Sequence, residues 1–192
     1  GHSGAGKSTM AAALLVRGSV RDRLKDFRAG VADYSRVLEI APRFLWARYY
    51  RGRGYRELRA YPGALADFDA FLSDNPAFEE ALYLRGNVRF LTEDYSGAQA
   101  DLDRVLALNP RRGLAYSNRG QAKARLGDKA GAVADLRKAM ELEPAKKARI
   151  QSAIDALDEP APAPQQERAT APAPGEGLDN AEWREGDMRD FD

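Results

Sequence analysis

Residues 79–112, EEALYLRGNVRFLTEDYSGAQADLDRVLALNPRR, decide the fold of this chain. Apolar residues follow the 3.6-residue helical period in two runs, Ala81, Leu84, Val88 and Leu91, then Ala98, Leu102, Val105 and Leu106. Between the runs, Thr92-Glu93-Asp94 breaks the apolar pattern and can cap the second helix. Pro110 ends that helix, because the residue before proline is disfavoured in the α conformation. The stretch therefore predicts a helix–turn–helix.

The same unit occurs four times, with a period of 34 residues. Arg-Gly recurs at Arg17-Gly18, Arg51-Gly52, Arg85-Gly86 and Arg119-Gly120. Proline and aspartate keep the same period at Pro42, Pro76, Pro110, Pro144, Asp33, Asp67, Asp101 and Asp135. A fixed period of this length is typical of repeat proteins. The sequence predicts four repeats, residues 11–44, 45–78, 79–112 and 113–146, whose positions are numbered 1 to 34 below.

The repeat resembles the tetratricopeptide repeat (TPR) family. Small residues stand where that family has them, at position 8 (Gly18, Gly52, Gly86, Gly120) and at position 20 (Gly30, Ala64, Ala98, Ala132). An aromatic occupies position 17 in three repeats, and Lys129 replaces it in the fourth. The resemblance implies an all-α, right-handed superhelix (an α-solenoid) over residues 11–158. Residues 147–158, with Ile150, Ile154 and Leu157 on one side, are expected to form a capping helix.

By the same resemblance, the first helices line a concave groove at positions 2, 5, 9 and 12. The candidate peptide-binding residues at these positions are Trp46, Tyr49, Arg53, Arg56, Tyr83, Asn87, Phe90, Ser117 and Gln121. Their aromatic rings offer the contact area that is enriched at binding hot spots. The alternative is that these rings only pack between adjacent helices. Leu15 and Ser19 stand where some TPR proteins grip a carboxylate, so that type of clamp is not predicted.

The recurrent arginine at position 7 and aspartate at position 23 have two interpretations. They could form a ladder of charges that holds a ligand, or a salt bridge between the helices of the fold. Residues that repeat as regularly as the fold usually serve the fold, so the second interpretation is favoured.

The first nine residues, GHSGAGKST, match the phosphate-binding pattern G-x-x-x-x-G-K-[ST] through Gly1, Gly6, Lys7 and Ser8. This match gives the alternative function, a nucleotide-binding or kinase-related protein. Such a loop needs a preceding strand and a following parallel sheet, and the helical pattern that begins near residue 10 offers neither. The favoured interpretation is a Gly/Ser-rich segment, residues 1–10, in which Ser8 or Thr9 caps the first helix. A fragment boundary or fusion junction would also explain the string.

The amino-acid composition argues against several kinds of chemistry. The chain has 192 residues, no Cys and one His, which argues against thiol chemistry, zinc sites and His-dependent catalysis. The sequence therefore predicts no catalytic residue, no metal and no cofactor, and a protein that is not an enzyme. It contains no run of 18 apolar residues, so membrane insertion is not expected. The predicted function is a non-catalytic adaptor or scaffold that binds a protein or peptide ligand.

The overall charge of +1 conceals an acidic end and a basic body. Residues 159–192 are rich in Pro, Ala and acids, a composition that predicts a disordered tail. Acids alternate there with Trp183, Met188 and Phe191, which suggests docking on another protein or an intramolecular contact between tail and groove. The cations of the body are dispersed among acids, which argues against nucleic acid. The expected compartment is the bacterial cytoplasm, with the periplasm or secretion as the alternative if a signal peptide was removed.

Overall fold

The computed structural model describes residues 4–158, and the side chains of residues 6–157. The predicted tail, residues 159–192, lies outside this range. Within it, nine α-helices and one short 3-10 segment follow in order. They are α1 (Gly4–Arg23), α2 (Phe27–Ile40), α3 (Leu45–Glu57), α4 (Tyr61–Asp74), α5 (Glu79–Leu91), α6 (Tyr95–Leu108), α7 (Gly113–Arg125), α8 (Lys129–Leu142), the 3-10 segment Pro144–Lys146, and α9 (Lys147–Asp158).

Each helix packs on the next one along the chain, and the first helices of neighbouring repeats also contact one another: α1 with α3, α3 with α5, and α5 with α7. The predicted all-α solenoid is therefore confirmed. The first helices form one continuous row, which we call the groove.

Local chemistry sets the helix ends. Asp94 caps α6 by accepting a hydrogen bond from the backbone N–H of Gly97 at 2.9 Å, as predicted. Asp26 and Asp128 do the same for α2 and α8. The four recurrent prolines each follow the end of a second helix. The turn between helices has a residue in the left-handed region at position 15, which is Lys25, Arg59, Glu93 or Gly127.

The core lies where the two helices of a repeat meet, and it is continuous from Tyr49 to Ala115. Phe68, Leu102 and Leu136 on the second helices are almost completely buried. The glycine at position 8 permits this approach: a Cβ on Gly120 would lie 3.1 Å from the carbonyl oxygen of Ala132. At the C-terminal end, Ile150 and Ile154 of α9 pack on Leu136 and Ala139, as expected for a capping helix.

A salt bridge joins the two helices of every repeat. Arg119 donates from Nε and Nη2 to the two carboxylate oxygens of Asp135, both at 2.7 Å. The same bidentate pairs are Arg17–Asp33, Arg51–Asp67 and Arg85–Asp101. The four aspartates are buried, so position 23 has a structural role and does not form a ligand ladder. The structural interpretation of the position 7 and 23 pair is thus confirmed.

The start of α1 differs from the prediction. The helix begins at Gly4, so Ser8 and Thr9 lie inside it and neither is its N-cap. Residues 4–10, predicted to precede the first helix, are part of α1. The physical reason is that extending an existing helix by one residue costs much less than starting one, and Lys7 to Met10 contains no Pro or Gly to stop it.

Candidate peptide-binding groove

A cleft of about 540 Å³ with five charged side chains in its lining lies beside α1 and α3. Its lining comes from the end of α1, the turn that follows, the start of α2 and the second half of α3. The lining residues are Ser19, Asp22, Arg23, Lys25, Phe27, Tyr50, Arg53, Gly54 and Glu57.

The cleft holds three cations and two acids, and its cations form no salt bridges among the residues described. Within the described part of the chain, Arg23, Lys25 and Arg53 form no salt bridge, whereas Glu57 pairs with Arg56. The Arg53 guanidinium lies 5.8 Å from the ring centroid of Tyr49 and 5.9 Å from that of Tyr50. Stacking on aromatic rings leaves the N–H groups of an arginine free to meet an acceptor. The cleft therefore presents positive charge beside an aromatic surface.

Asp22, one of the two acids that line this cleft, accepts a hydrogen bond from a side chain of the core. Tyr34 donates its hydroxyl to Oδ2 of Asp22 at 2.8 Å. The other oxygen, Oδ1, is buried and has no hydrogen-bond partner among the described residues. Burial raises the pKa of Asp22, although the hydrogen bond from Tyr34 and the charge of Arg53 act in the opposite direction. Asp22 therefore interacts with the charge of Arg53 but forms no salt bridge with the cations of the cleft.

The predicted aromatic residues of α3 separate into two groups. Tyr49 is only 6% exposed and belongs to the core, so its ring offers almost no surface to a ligand. Trp46 is 43% exposed, although its ring lies 5.4 Å from Phe71 and 5.5 Å from Phe78. Trp46 is thus an accessible aromatic residue that is held in place by its neighbours.

In the third repeat, several polar side chains of the groove bind one another. The guanidinium of Arg112 lies 3.9 Å from the ring centroid of Tyr83 and also pairs with Glu79 and Glu80. Asn118 donates to Oδ1 of Asn87 at 2.6 Å. It also donates to the Tyr83 hydroxyl at 3.2 Å. One face of Tyr83 is therefore covered.

Three of the remaining predicted residues, Asn87, Phe90 and Gln121, line a second, smaller cleft of about 270 Å³ toward the C-terminal end of the groove. It brings together Asn87, Phe90, Leu91, Asn118, Gln121 and Arg149. The amide of Gln121 bonds the backbone carbonyl of Ser117, which ties these two predicted residues to each other. Arg56 pairs with Glu57, the residue beside it. The two clefts are separate, so the predicted residues do not form a single site.

Sequence reasoning missed Arg23, Lys25, Tyr50, Arg112 and Asn118. Lys25 stands in the turn after α1 and Arg112 precedes α7, so neither is at a groove position of a first helix. Tyr50 and Asn118 share position 6, which is not among the predicted groove positions 2, 5, 9 and 12. The available signal was that position 6 varies between Val16, Tyr50, Leu84 and Asn118 while its geometry is fixed.

The phosphate-loop string has a helical conformation where it is described. Gly6, Lys7 and Ser8 lie in α1, and Gly1 is outside the described residues. Lys7 and Ser8 border a cleft of about 530 Å³ whose other walls are Ala11, Ala12, Leu15, Val16, Ile40, Ala41 and Phe44. Apart from Lys7 and Ser8, these walls carry no side chain that could bind phosphate or Mg²⁺.

Between residues 4 and 158, no group of three or more His, Cys, Asp or Glu side chains is arranged to hold a metal ion. None of the helices described is both long enough and apolar enough to cross a membrane.

Comparison with known proteins agrees with this architecture. Residues 114–146 match the family model of the tetratricopeptide repeat. No curated protein sequence is significantly similar to the chain. The fold is similar to that of MamA, with a TM-score of 0.73, 21% identity, and coverage of 78% of this chain and 81% of MamA.

Two other solved structures share the fold. A thermophilic TPR protein of Thermus thermophilus has a TM-score of 0.59 and 22% identity, with coverage of 77% of this chain and 80% of that one. The first TPR of Spaghetti (RPAP3), bound to an HSP90 peptide, has a TM-score of 0.52 and 23% identity, with coverage of 58% and 93%. Residues 114–146 therefore match one tetratricopeptide repeat, and the described chain shares the fold of solved TPR proteins.

Proposed function

We propose that this chain is a non-catalytic protein-interaction module that binds an acidic segment of a partner protein along its groove. The observation that carries the proposal is the cleft beside α1 and α3, where Arg23, Lys25 and Arg53 form no salt bridge among the described residues. A carboxylate of the ligand would form charge-assisted hydrogen bonds with these cations, while Tyr50 and Phe27 supply apolar contact.

The predicted residues further along the groove have supporting roles. Trp46, Asn87, Phe90 and Gln121 extend the surface toward α7, where an extended peptide could continue. The RPAP3 repeat domain is a precedent within this fold, because its peptide, SRMEEVD, is acidic. The proposal does not transfer that ligand, since the carboxylate-clamp residues are absent here.

Binding from a displayed peptide library tests the proposal. Peptides selected on the full chain are expected to be acidic, and their dissociation constants are measured by fluorescence anisotropy. The double variant Lys25→Glu/Arg53→Glu should weaken binding about tenfold or more. Position 15 tolerates glutamate, since Glu93 occupies it in the third repeat with the same left-handed backbone.

The matched control is Arg137→Glu/Lys147→Glu, which changes the net charge equally at two exposed sites on α8 and α9. It should leave the affinities unchanged. Selected peptides that bind both double variants equally well would contradict the proposal.

A further inference from the structure

The second repeat contains a cluster of four aromatic rings on the groove side of its helix pair. They stand at positions 2, 5, 27 and 34, and they are Trp46, Tyr49, Phe71 and Phe78. Three ring centroids surround that of Phe78: Trp46 at 5.5 Å, Tyr49 at 5.4 Å and Phe71 at 5.2 Å. These separations are typical of packed aromatic pairs, so the four rings fill the space beside position 34.

The first repeat has only one ring at the same four positions. Positions 2, 5 and 27 are Ala12, Leu15 and Val37, and position 34 is Phe44. Where the second repeat has its ring cluster, the first has the cleft of about 530 Å³ that Ala12, Leu15 and Phe44 help to line. Phe44 is 39% exposed, whereas its equivalent Phe78 is partly buried. The cleft therefore corresponds to ring positions that smaller side chains leave unfilled.

Contacts in the later repeats show which elements surround positions 2 and 5. Trp46 packs on Phe78 of its own repeat. Tyr83 packs on Arg112 of its own repeat and accepts a hydrogen bond from Asn118 of the following one. Each of these partners comes from the same repeat or from the next one along the chain. Both of those repeats are described around the cleft of the first repeat, so the cleft is not the surface on which a preceding repeat would pack.

We propose that this cleft, called the aromatic cleft below, binds an aromatic side chain of the ligand, placed against Phe44 as the Trp46 ring is placed against Phe78. The binding rests on the proposed function, because the aromatic residue belongs to the same acidic segment. Apart from Lys7 and Ser8, the walls of the cleft are apolar, which suits a ring. Lys7 forms no salt bridge among the described residues, and its charge favours an acidic segment.

The spacing of two clefts limits the ligand further. Ala12 and Leu15 line the aromatic cleft, and Ser19 lines the cleft beside α1 and α3 together with Arg53. The three α1 residues lie on one side of the helix, and Ala12 and Ser19 are about 10 Å apart along its axis. An extended peptide covers this distance in about three residues. The ligand therefore carries an aromatic residue about three residues from the acid that binds Arg53.

Selection from a displayed library of random linear peptides tests the inference. Peptides selected on the wild-type chain should be enriched in Trp, Phe or Tyr at a fixed spacing from Asp or Glu. The variant Ala12→Trp supplies the ring that Trp46 supplies in the second repeat, so it should fold and lose the aromatic preference while it keeps the acidic one. The matched control Ala13→Trp adds the same ring at an exposed residue that does not line the cleft, and it should select as the wild type does.

Dissociation constants measured by fluorescence anisotropy separate the aromatic contact from the charge contact. Replacement of the aromatic residue by alanine in a selected peptide should weaken binding to the wild type about tenfold. The same replacement should weaken binding to Ala12→Trp by less than about twofold, because the cleft is already filled. The variant Lys25→Glu/Arg53→Glu should weaken both peptides alike, since it leaves the aromatic cleft unchanged.

Failure of this inference differs from failure of the proposed function. Selected peptides without acidic residues would contradict the proposed function. Acidic peptides without an aromatic preference would overturn this inference alone, and the same result is expected if another segment of the chain fills the cleft. Equal losses of affinity in Ala12→Trp and Ala13→Trp would also overturn it. A wild-type dimer that Ala12→Trp dissociates, measured by sedimentation velocity, would overturn it in favour of a second copy.

Discussion

Arg119 binds both carboxylate oxygens of Asp135 in its own repeat, and it reaches back through Nη1 to Asp103 of the preceding repeat. One arginine side chain therefore links the two helices of a repeat and the repeat to its neighbour. Its hydrogen bonds to Asp135 raise the pKa of the guanidinium above its ordinary value, so the charge is fixed. The same arrangement in Arg85 joins Asp101 and Asp69.

Removal of the buried acid Asp101 should lower the free energy of unfolding much more than removal of the exposed acid Asp103. Asp101 is 2% exposed and also accepts from Arg89 at 2.9 Å. Asp101→Ala removes the buried acid that Arg85 and Arg89 share and leaves each with only an exposed acid, so it should lower the free energy of unfolding by about 3–5 kcal/mol. The measurement is urea unfolding followed by circular dichroism. The control Asp103→Ala removes an exposed carboxylate and should cost no more than about 1 kcal/mol. Equal losses would contradict this role.

Asp22 should make the stability of the folded chain fall as the pH rises. Its pKa is raised in the folded chain by burial. The folded state therefore holds the proton more tightly than the unfolded state, and stability falls as the pH rises from the ordinary aspartate pKa through the raised value. Asp22→Asn keeps an acceptor for Tyr34 and removes the buried charge.

The variant Asp22→Asn should melt at a higher temperature than the wild type at pH 7. The difference should shrink as the pH falls to about 3, where the aspartate is protonated in both states. Thermal unfolding by circular dichroism across this range is the measurement. A difference that stays constant with pH would show that the charge of Asp22 is not responsible.

The turn at position 15 offers a stabilising substitution. Arg59 has φ of 57°, which costs a residue with a side chain about 1 kcal/mol and costs glycine almost nothing. Arg59→Gly should therefore raise the free energy of unfolding by about 0.5–1 kcal/mol. Gly127 already occupies this position in the fourth repeat. As a control, Ala66→Gly in the exposed middle of α4 should lower it by about 1 kcal/mol. A loss of stability in Arg59→Gly would contradict the account of the turn.

The helical conformation of Lys7 and Ser8 predicts that Mg-ATP does not bind with micromolar affinity. A phosphate-binding loop needs backbone N–H groups that curl around the phosphate, whereas the N–H groups from residue 8 onward lie inside α1. Isothermal titration calorimetry of the full chain is the measurement. Micromolar binding that disappears in Lys7→Ala would favour the alternative function.

The fold was predictable because it depends on features that recur. Gly120, Asp135 and Pro144 repeat at a fixed period, and each has a local reason for its type: close approach, a buried salt bridge and a helix stop. The start of α1 was not predictable, because helix propagation through Ser8 and Thr9 competes with capping and no residue there decides between them.

The candidate site was predictable only in part. Arg53, Asn87, Phe90 and Gln121 do line clefts of the groove, but Tyr49 is in the core and Tyr83 is covered by Arg112. A repeat position gives the direction of a side chain, and its exposure depends on neighbours from the next repeat. Asn118 is such a neighbour, because it bonds the Tyr83 hydroxyl. Arg112 is the last residue of the third repeat itself, and it covers the Tyr83 ring from outside the groove positions.

The most direct test of the central claim is affinity purification from lysate of the source cells with three forms of the full chain. These are the wild type, Lys25→Glu/Arg53→Glu and the control Arg137→Glu/Lys147→Glu, each shown by circular dichroism to be folded. Quantitative mass spectrometry measures the recovered proteins. The account predicts a partner with an acidic segment that the wild type and the control retain and that the groove variant loses by about tenfold or more. Equal recovery of every partner by the groove variant would contradict it.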